Sequence, residues 1–246
     1  MNRILLALVL IAIPVPAAAQ LPDICRMLPA GDNTVSGNIL QFIVILTVLS
    51  IAPGLLIMVT SFTRIVIALS FLRSGLGLQS TPANLVMVSL ALFLTFFVMA
   101  PVFEKAKTEG LDPYIAKEIS APEAYDRITS PFRTFMLKNV REKDLALFES
   151  LAQKQNIVLA GDPQTDLRIL VPAFMISELR RGFEIGFLIV LPFLVIDLVV
   201  AVLTMSMGMM MLPPTVISLP FKVLFFVLID GWHLLAGSLV NSFTFS

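Results

Sequence analysis

An all-α fold of membrane-associated helical hairpins is what this sequence predicts, and three observations carry the prediction. Of 246 residues, 57% are hydrophobic and only 14% charged, with a mean hydropathy of +0.93, a composition unlike that of soluble globular domains. The charges are gathered: 24 of the 34 lie between Glu104 and Arg181, so that one segment is solvated and most of the rest is not. Strand-like alternation of useful length is absent, whereas long apolar runs recur. About four apolar segments of roughly spanning length are expected, with a small helical hydrophilic domain between the second and the third.

Residues 1–19 read as a cleavable signal peptide, with Arg3 as the positive end, Ile4 to Val15 as the apolar stretch and Ala17-Ala18-Ala19 as the cleavage motif before Gln20. The apolar stretch is too short to cross roughly 30 Å of hydrocarbon. Residues 20–38 form a polar arm containing Pro22, Pro29, Gly31 and Asn33. Cys25, the one cysteine, excludes an intramolecular disulfide and a thiolate metal cluster.

Residues 39–103 read as a first apolar helical hairpin. Ile39 to Leu72 is too long for one straight span, and Pro53-Gly54 is expected to divide it, because proline removes a ladder donor and clashes with the preceding turn. A short polar connection, Arg73 to Pro82, leads to a second apolar helix, Asn84 to Phe103. Residues 104–182 form the hydrophilic helical domain. Ser120-Ala-Pro122-Glu123 has the spacing of a capping box, and Ser130-Pro131 repeats the start signal. Leu145, Phe148 and Leu151 recur at helical spacing, and Gly161-Asp162-Pro163 is a turn. Residues 183–246 read as a second apolar hairpin, its arms Phe183 to Met211 and Thr215 to Phe243. An even number of spans after a signal peptide puts residues 104–182 on the outer side of the membrane.

The inventory argues against an enzyme and implies no cofactor and no metal. His233 is the single histidine, so two-histidine zinc motifs are excluded. No nucleophile elbow or phosphate-binding loop is present, and Gly75-Leu-Gly77 lacks the third glycine of a dinucleotide fingerprint. Asp197 and Asp230 lack the flanking motif of an intramembrane aspartyl protease. A net charge of zero gives no argument for nucleic acid.

Charged groups inside apolar helices are costly and mark candidate sites. Asp197 and Lys222 are centred on residues 209–210, and folding the chain back there brings the two to similar depth. They are expected to form an ion pair, within one subunit or between two, that fixes the register of the hairpin. Five of the twelve methionines fall in 205–211, at a break ended by Pro213-Pro214 and loosened by Gly208. Flexible thioethers around an irregular backbone suit a seal that closes on itself and conforms to what passes, which makes the loop 205–214 a candidate pore lining.

Two blocks of the sequence resemble the flagellar biosynthetic FliP family. One runs from Ser61-Phe-Thr-Arg64 through Leu69-Ser-Phe-Leu-Arg73 to Leu90-Ala-Leu-Phe-Leu-Thr-Phe-Phe-Val-Met-Ala-Pro101. The other starts at Val171-Pro-Ala-Phe-Met-Ile-Ser-Glu178 and continues through Pro192-Phe-Leu-Val-Ile-Asp197, Met207-Gly-Met-Met-Met-Leu-Pro-Pro214, Leu219-Pro-Phe-Lys222 and Asp230-Gly-Trp232. The resemblance implies a core subunit of a flagellar type III protein export gate in the bacterial inner membrane at the basal body, much of it on the periplasmic side. Copies of the chain would assemble with FliQ and FliR, beside other export-apparatus proteins, into a closed channel for unfolded flagellar proteins. The gasket implied by the resemblance is Met209, Met210 and Met211, leaving Met205 and Met207 to packing. The alternatives are the equivalent gate of a virulence secretion system, disfavoured by the signal peptide, and a proton-coupled transporter, which would be expected to show paired broken helices as internal repeats. Ala83 after Pro82 and the charged run Arg181-Gly182-Phe-Glu184 depart from the family's usual pattern.

Overall fold

The computed structural model describes residues 35–78, 82–156, 166–208 and 213–243. The signal peptide with its junction at Ala19 and Gln20, Cys25, the turn at Gly161, and the gasket residues Met209, Met210 and Met211 lie outside them. Every regular element among the described residues is helical, as the composition predicts. Two units divide at Ser50, Met1–Ser50 and Ile51–Ser246.

The described part of the first unit lies in α1, Val35–Met58, which runs on into the second. Within the first unit, Thr47 and Ser50 donate their hydroxyls to the carbonyls of Ile43 and Leu46, both at 2.7 Å, which hides polar groups in an apolar helix.

The second unit adds α2 (Phe62–Gly75), α3 (Asn84–Ala106), a π-turn (Lys107–Leu111), α4 (Asp112–Ile115), α5 (Ala121–Asn139), α6 (Glu142–Lys154), α7 (Leu167–Ser206), α8 (Pro214–Leu228) and α9 (Gly231–Asn241). Its centre is the α2–α7 pair. On α2, Ile65, Ala68, Leu69 and Leu72 are buried at the spacing of one helical face. They belong to one core with Ile169, Leu170, Ala173 and Phe174 of α7. Each fully buried Leu, Ile or Phe of this kind contributes about 1.5–3 kcal/mol. Gly182 and Gly186, four residues apart on α7, let the two helices approach closely. A Cβ on Gly182 would lie 3.1 Å from Ile67, and one on Gly186 would lie 2.6 Å from the ring of Phe71. This small-xxx-small pattern is the usual device for close packing of apolar helices.

Four expectations meet a different backbone. The first long apolar run does form two helices, but its break is not at Pro53-Gly54. Helix α1 continues to Met58, and the break falls at Val59–Ser61. One proline deletes one ladder bond and bends a helix. At the true break the Thr60 hydroxyl donates to Ile57 O (3.3 Å) and accepts from Phe62 N (3.5 Å), offering the backbone a local alternative to the helix. Ser120 does stand at the N-cap of α5, yet its side chain makes no capping bond, and Glu123 pairs with Arg127 one turn onward (2.7 Å), so neither half of the box is closed. Ser130-Pro131 starts nothing: Pro131 is buried inside α5, whose packing carries the helix through the lost bond. Against this helix the π-turn brings Gly110 so close that a Cβ would lie 2.6 Å from Ile128.

The fourth difference concerns Thr215 to Phe243. This arm is two helices, α8 and α9, bent by 65° at Ile229 and Asp230. Asp230 adopts a left-handed conformation (φ 51°), and Gly231 lies against the Phe226 ring, where a Cβ would come within 2.2 Å. The tight corner thus rests on two adjacent residues.

Helix α7 is one continuous element of 40 residues despite Pro172 and Pro192, so it joins the end of the hydrophilic segment to the first arm of the second hairpin. Asp166 caps its N-terminus, accepting from Arg168 N at 2.9 Å. Phe135 on α5 packs edge-on to Phe174 of α7 and stacks on Phe243, so the hydrophilic segment and the last helix share one core. Asn84–Ile115 and Leu167–Ser206 are long and apolar enough to cross a membrane, and α8 with α9 would make a third span if the bent pair crosses as one. Beyond its packed face α7 exposes Phe187, Leu188, Leu194, Leu198 and Val202. An apolar helix surface of this extent belongs against lipid or other chains.

Candidate functional site

The structure brings Asp197 and Lys222 together. Asp197 lies on α7, and Lys222, almost wholly buried, lies on α8. Lys222 Nζ donates to Asp197 Oδ2 at 2.6 Å. The contact is made within one chain.

Two further groups complete the site, and sequence reasoning missed both. Ser218 precedes Lys222 by one helical turn on α8, so the two side chains share a face. The Ser218 hydroxyl, fully buried, donates to Asp197 Oδ1 at 2.5 Å. Each carboxylate oxygen therefore accepts one donor from α8. Lys222 Nζ also donates to the carbonyl of Gly75 at 3.0 Å.

That carbonyl is available for a local reason. Helix α2 ends in a Schellman motif: Gly77, at φ 76°, sends its N–H to Ser74 O (3.0 Å), and Leu78 sends its N–H to Arg73 O (3.2 Å). Leu76 N takes Leu72 O (3.0 Å). The carbonyl of Gly75, left over at the negative end of the helix, receives the lysine. The pair Gly75-Leu-Gly77, without meaning as a nucleotide motif, is a helix stop. A Cβ on Gly75 would lie 3.0 Å from Phe193 and Val190, so the glycine also brings the end of α2 against α7. Three elements thus converge on one partly buried ion pair.

A second ion pair, this one fully buried, sits at the other end of α2. Arg64 Nε donates to Glu178 Oε2 at 2.9 Å, and Arg64 Nη2 pairs with Oε1; both side chains are inaccessible to water. The remaining face of the guanidinium is taken up by Ser242, through its carbonyl (2.7 Å) and hydroxyl (3.0 Å), while its plane lies 3.8 Å from the centre of the Phe243 ring. In the sequence Arg64 stands in the first apolar run and Glu178 in the hydrophilic segment 104–182. Nothing local connects residues so far apart.

Met207 N and Gly208 N close the last turn of α7 on Leu203 O and Met205 O (both 3.1 Å), with Gly208 at φ 74°. Helix α8 then starts at Pro214 with Pro213 as its extended N-cap, an arrangement that suits proline's fixed φ. Met205 and Met207, assigned to packing from the sequence, are 65% and 70% exposed in the single chain. Asp230 and His233 are also exposed. No group of residues among those described could hold a metal ion.

Fold and site together define a class: an all-helical, membrane-type protein whose apolar helices α7 and α8 are fastened by a partly buried charge pair. Comparison with known proteins narrows it. The FliP family matches residues 45–239. A flagellar biosynthetic protein FliP from Rhizobium meliloti is 63% identical over 212 residues, 86% of each chain. The protein of that name from Agrobacterium fabrum is 59% identical over 235 residues, 96% of each chain. The one from Bacillus subtilis is 53% identical over 221 residues, 90% of this chain and 99% of its own. The chain belongs to the FliP family of flagellar biosynthesis proteins.

Proposed function

We propose that the chain is a core, non-catalytic subunit of the flagellar type III export gate. Copies of it assemble in the bacterial inner membrane with FliQ and FliR into a closed channel for unfolded flagellar proteins, with much of each chain on the periplasmic side. Met209, Met210 and Met211 form the seal. Family membership supports the flagellar assignment over the virulence alternative. The observation that carries the gate reading is the fastened hairpin: α7 and α8 are locked by Asp197 and Lys222 close below a turn made of methionine, glycine and proline. A rigid base with a soft tip suits a part that closes a passage and deforms when something enters.

The exposed apolar faces of α3 and α7 support a chain that is complete only among lipids and other subunits. Replacing Met209, Met210 and Met211 together by alanine should leave the protein in the membrane and raise the leak of small molecules into cells with unengaged gates. A triple variant as tight as the parent would remove the methionines from the seal.

A further inference from the structure

The Asp197–Lys222 pair is held by more than its own attraction. One face of α8 supplies two donors one turn apart, Ser218 to Oδ1 (2.5 Å) and Lys222 to Oδ2 (2.6 Å). A carboxylate bound on both oxygens has its plane fixed, whereas one bound on a single oxygen can rotate and follow a moving lysine. The third contact, Lys222 to Gly75 O (3.0 Å), fixes the lysine against an element outside the hairpin. The rise of 1.5 Å per residue in an α-helix makes the arrangement sensitive to register. A slip of α8 along α7 by a single residue would carry the Ser218 hydroxyl beyond hydrogen-bond reach of Oδ1, while the long lysine side chain could still follow.

We propose that Ser218 is a positioning residue of the gate. By fixing the Asp197 carboxylate it sets the register of α8 against α7, and with it the rest position of the methionine turn. The Gly75 carbonyl is its counterpart on α2: it anchors Lys222, so the hairpin is referred to the end of α2 as well as to itself. This rests on the reading of the methionine turn as a seal, and it adds to that reading what holds the seal in place. Ser218 is fully buried, and its hydroxyl also lies 3.1 Å from the carbonyl of Thr215 at the start of α8.

The test is small-molecule leak through gates in living cells, compared at equal amounts of membrane-inserted protein. Ser218→Ala should raise the leak about tenfold, the shift expected when one hydrogen bond to a charged group is lost from the closed arrangement. Ser218→Thr, which keeps the hydroxyl, should return it to the parental level. If Ser218→Ala fails to accumulate, Ser218→Cys, of similar size but a weak donor, is read in its place with the same expectation. The alanine triple variant at Met209, Met210 and Met211 serves as the reference. A leaking triple variant beside a tight Ser218→Ala (or Ser218→Cys) would overturn the positioning role and leave the seal standing. If the triple variant is itself tight, the seal fails and the positioning role falls with it. A leak that Ser218→Thr does not repair would also count against the proposal, because it would trace to altered packing rather than to the hydroxyl.

Discussion

At the scale of single residues, two ion pairs do different work. Arg64 and Glu178 form a closed set: the carboxylate is bound on both oxygens, and the guanidinium is used up by Glu178, Ser242 and Phe243. Removing one partner of such a pair strands a charge without water, which costs about 3–5 kcal/mol. Glu178→Ala and Arg64→Ala should therefore each lower the thermal unfolding midpoint of detergent-solubilised protein and its steady-state abundance. Midpoints equal to the parent's would show that the pair is not formed. Asp197 and Lys222 behave otherwise, because the lysine also serves a helix end. Reversing both charges, Asp197→Lys with Lys222→Asp, restores attraction but sets a carboxylate against the Gly75 carbonyl. Motility on soft agar should then recover in part above either single variant and remain below the parent. Full recovery would make the Gly75 contact dispensable, and no recovery would remove the pairing itself.

The same scale shows what a sequence can disclose. The pairing of Asp197 with Lys222 was legible because a hairpin makes depth a matter of counting outward from a turn. Ser218 was not, since a serine in an apolar helix gains meaning only from what faces it. The break near residue 60 was misplaced for a related reason. Pro53-Gly54 is the louder signal, yet the threonine hydroxyl at Thr60 is what competes with the helix.

At the scale of elements, α2 and α7 approach each other closely at two glycines. Gly186→Ala would put a methyl group 2.6 Å from the Phe71 ring and 2.8 Å from its Cβ, and a Cβ cannot swing away as the tip of a side chain can. Overpacking of this kind costs about 1–3 kcal/mol. Gly182→Ala, with its nearest neighbour at 3.1 Å, should be milder. Thermal midpoints should rank parent, Gly182→Ala, Gly186→Ala in descending order, and the reverse order for the two variants would contradict the crossing geometry. Helix identity and approximate length were largely legible in the sequence, through apolar periodicity and turn residues. The 65° corner at Asp230 was not, because aspartate before glycine reads as a weak local punctuation until Phe226 is seen filling the space where a side chain would be.

At the scale of the whole molecule, the second unit is organised across the hydrophilic–apolar division that composition suggests. The charged stretch between Glu104 and Arg181 surrounds a core it shares with α2, α7 and the last helix, through Phe135, Phe174 and Phe243. Sequence composition sorts residues by solvent, whereas a core sorts them by contact, and the two boundaries need not coincide. Phe243→Ala should accordingly act far from its own helix. Loss of a buried ring costs about 3–5 kcal/mol, and limited proteolysis should show faster cleavage between α5 and α6 as well as near α9. Cleavage accelerated only near α9 would mean that the shared core is not cooperative.

The contacts of Arg64 also impose an order in time. A ribosome makes Arg64 114 residues before Glu178 and 178 residues before Ser242. Throughout that interval the guanidinium cannot occupy its final, waterless place without stranding its charge. Helix α2 must wait, partly hydrated or sheltered by the insertion machinery, until α7 and then α9 have been delivered. Docking of α2 is thus a late event in biogenesis although the helix is among the first to be made, and the buried arginine acts as a check that the later helices have arrived.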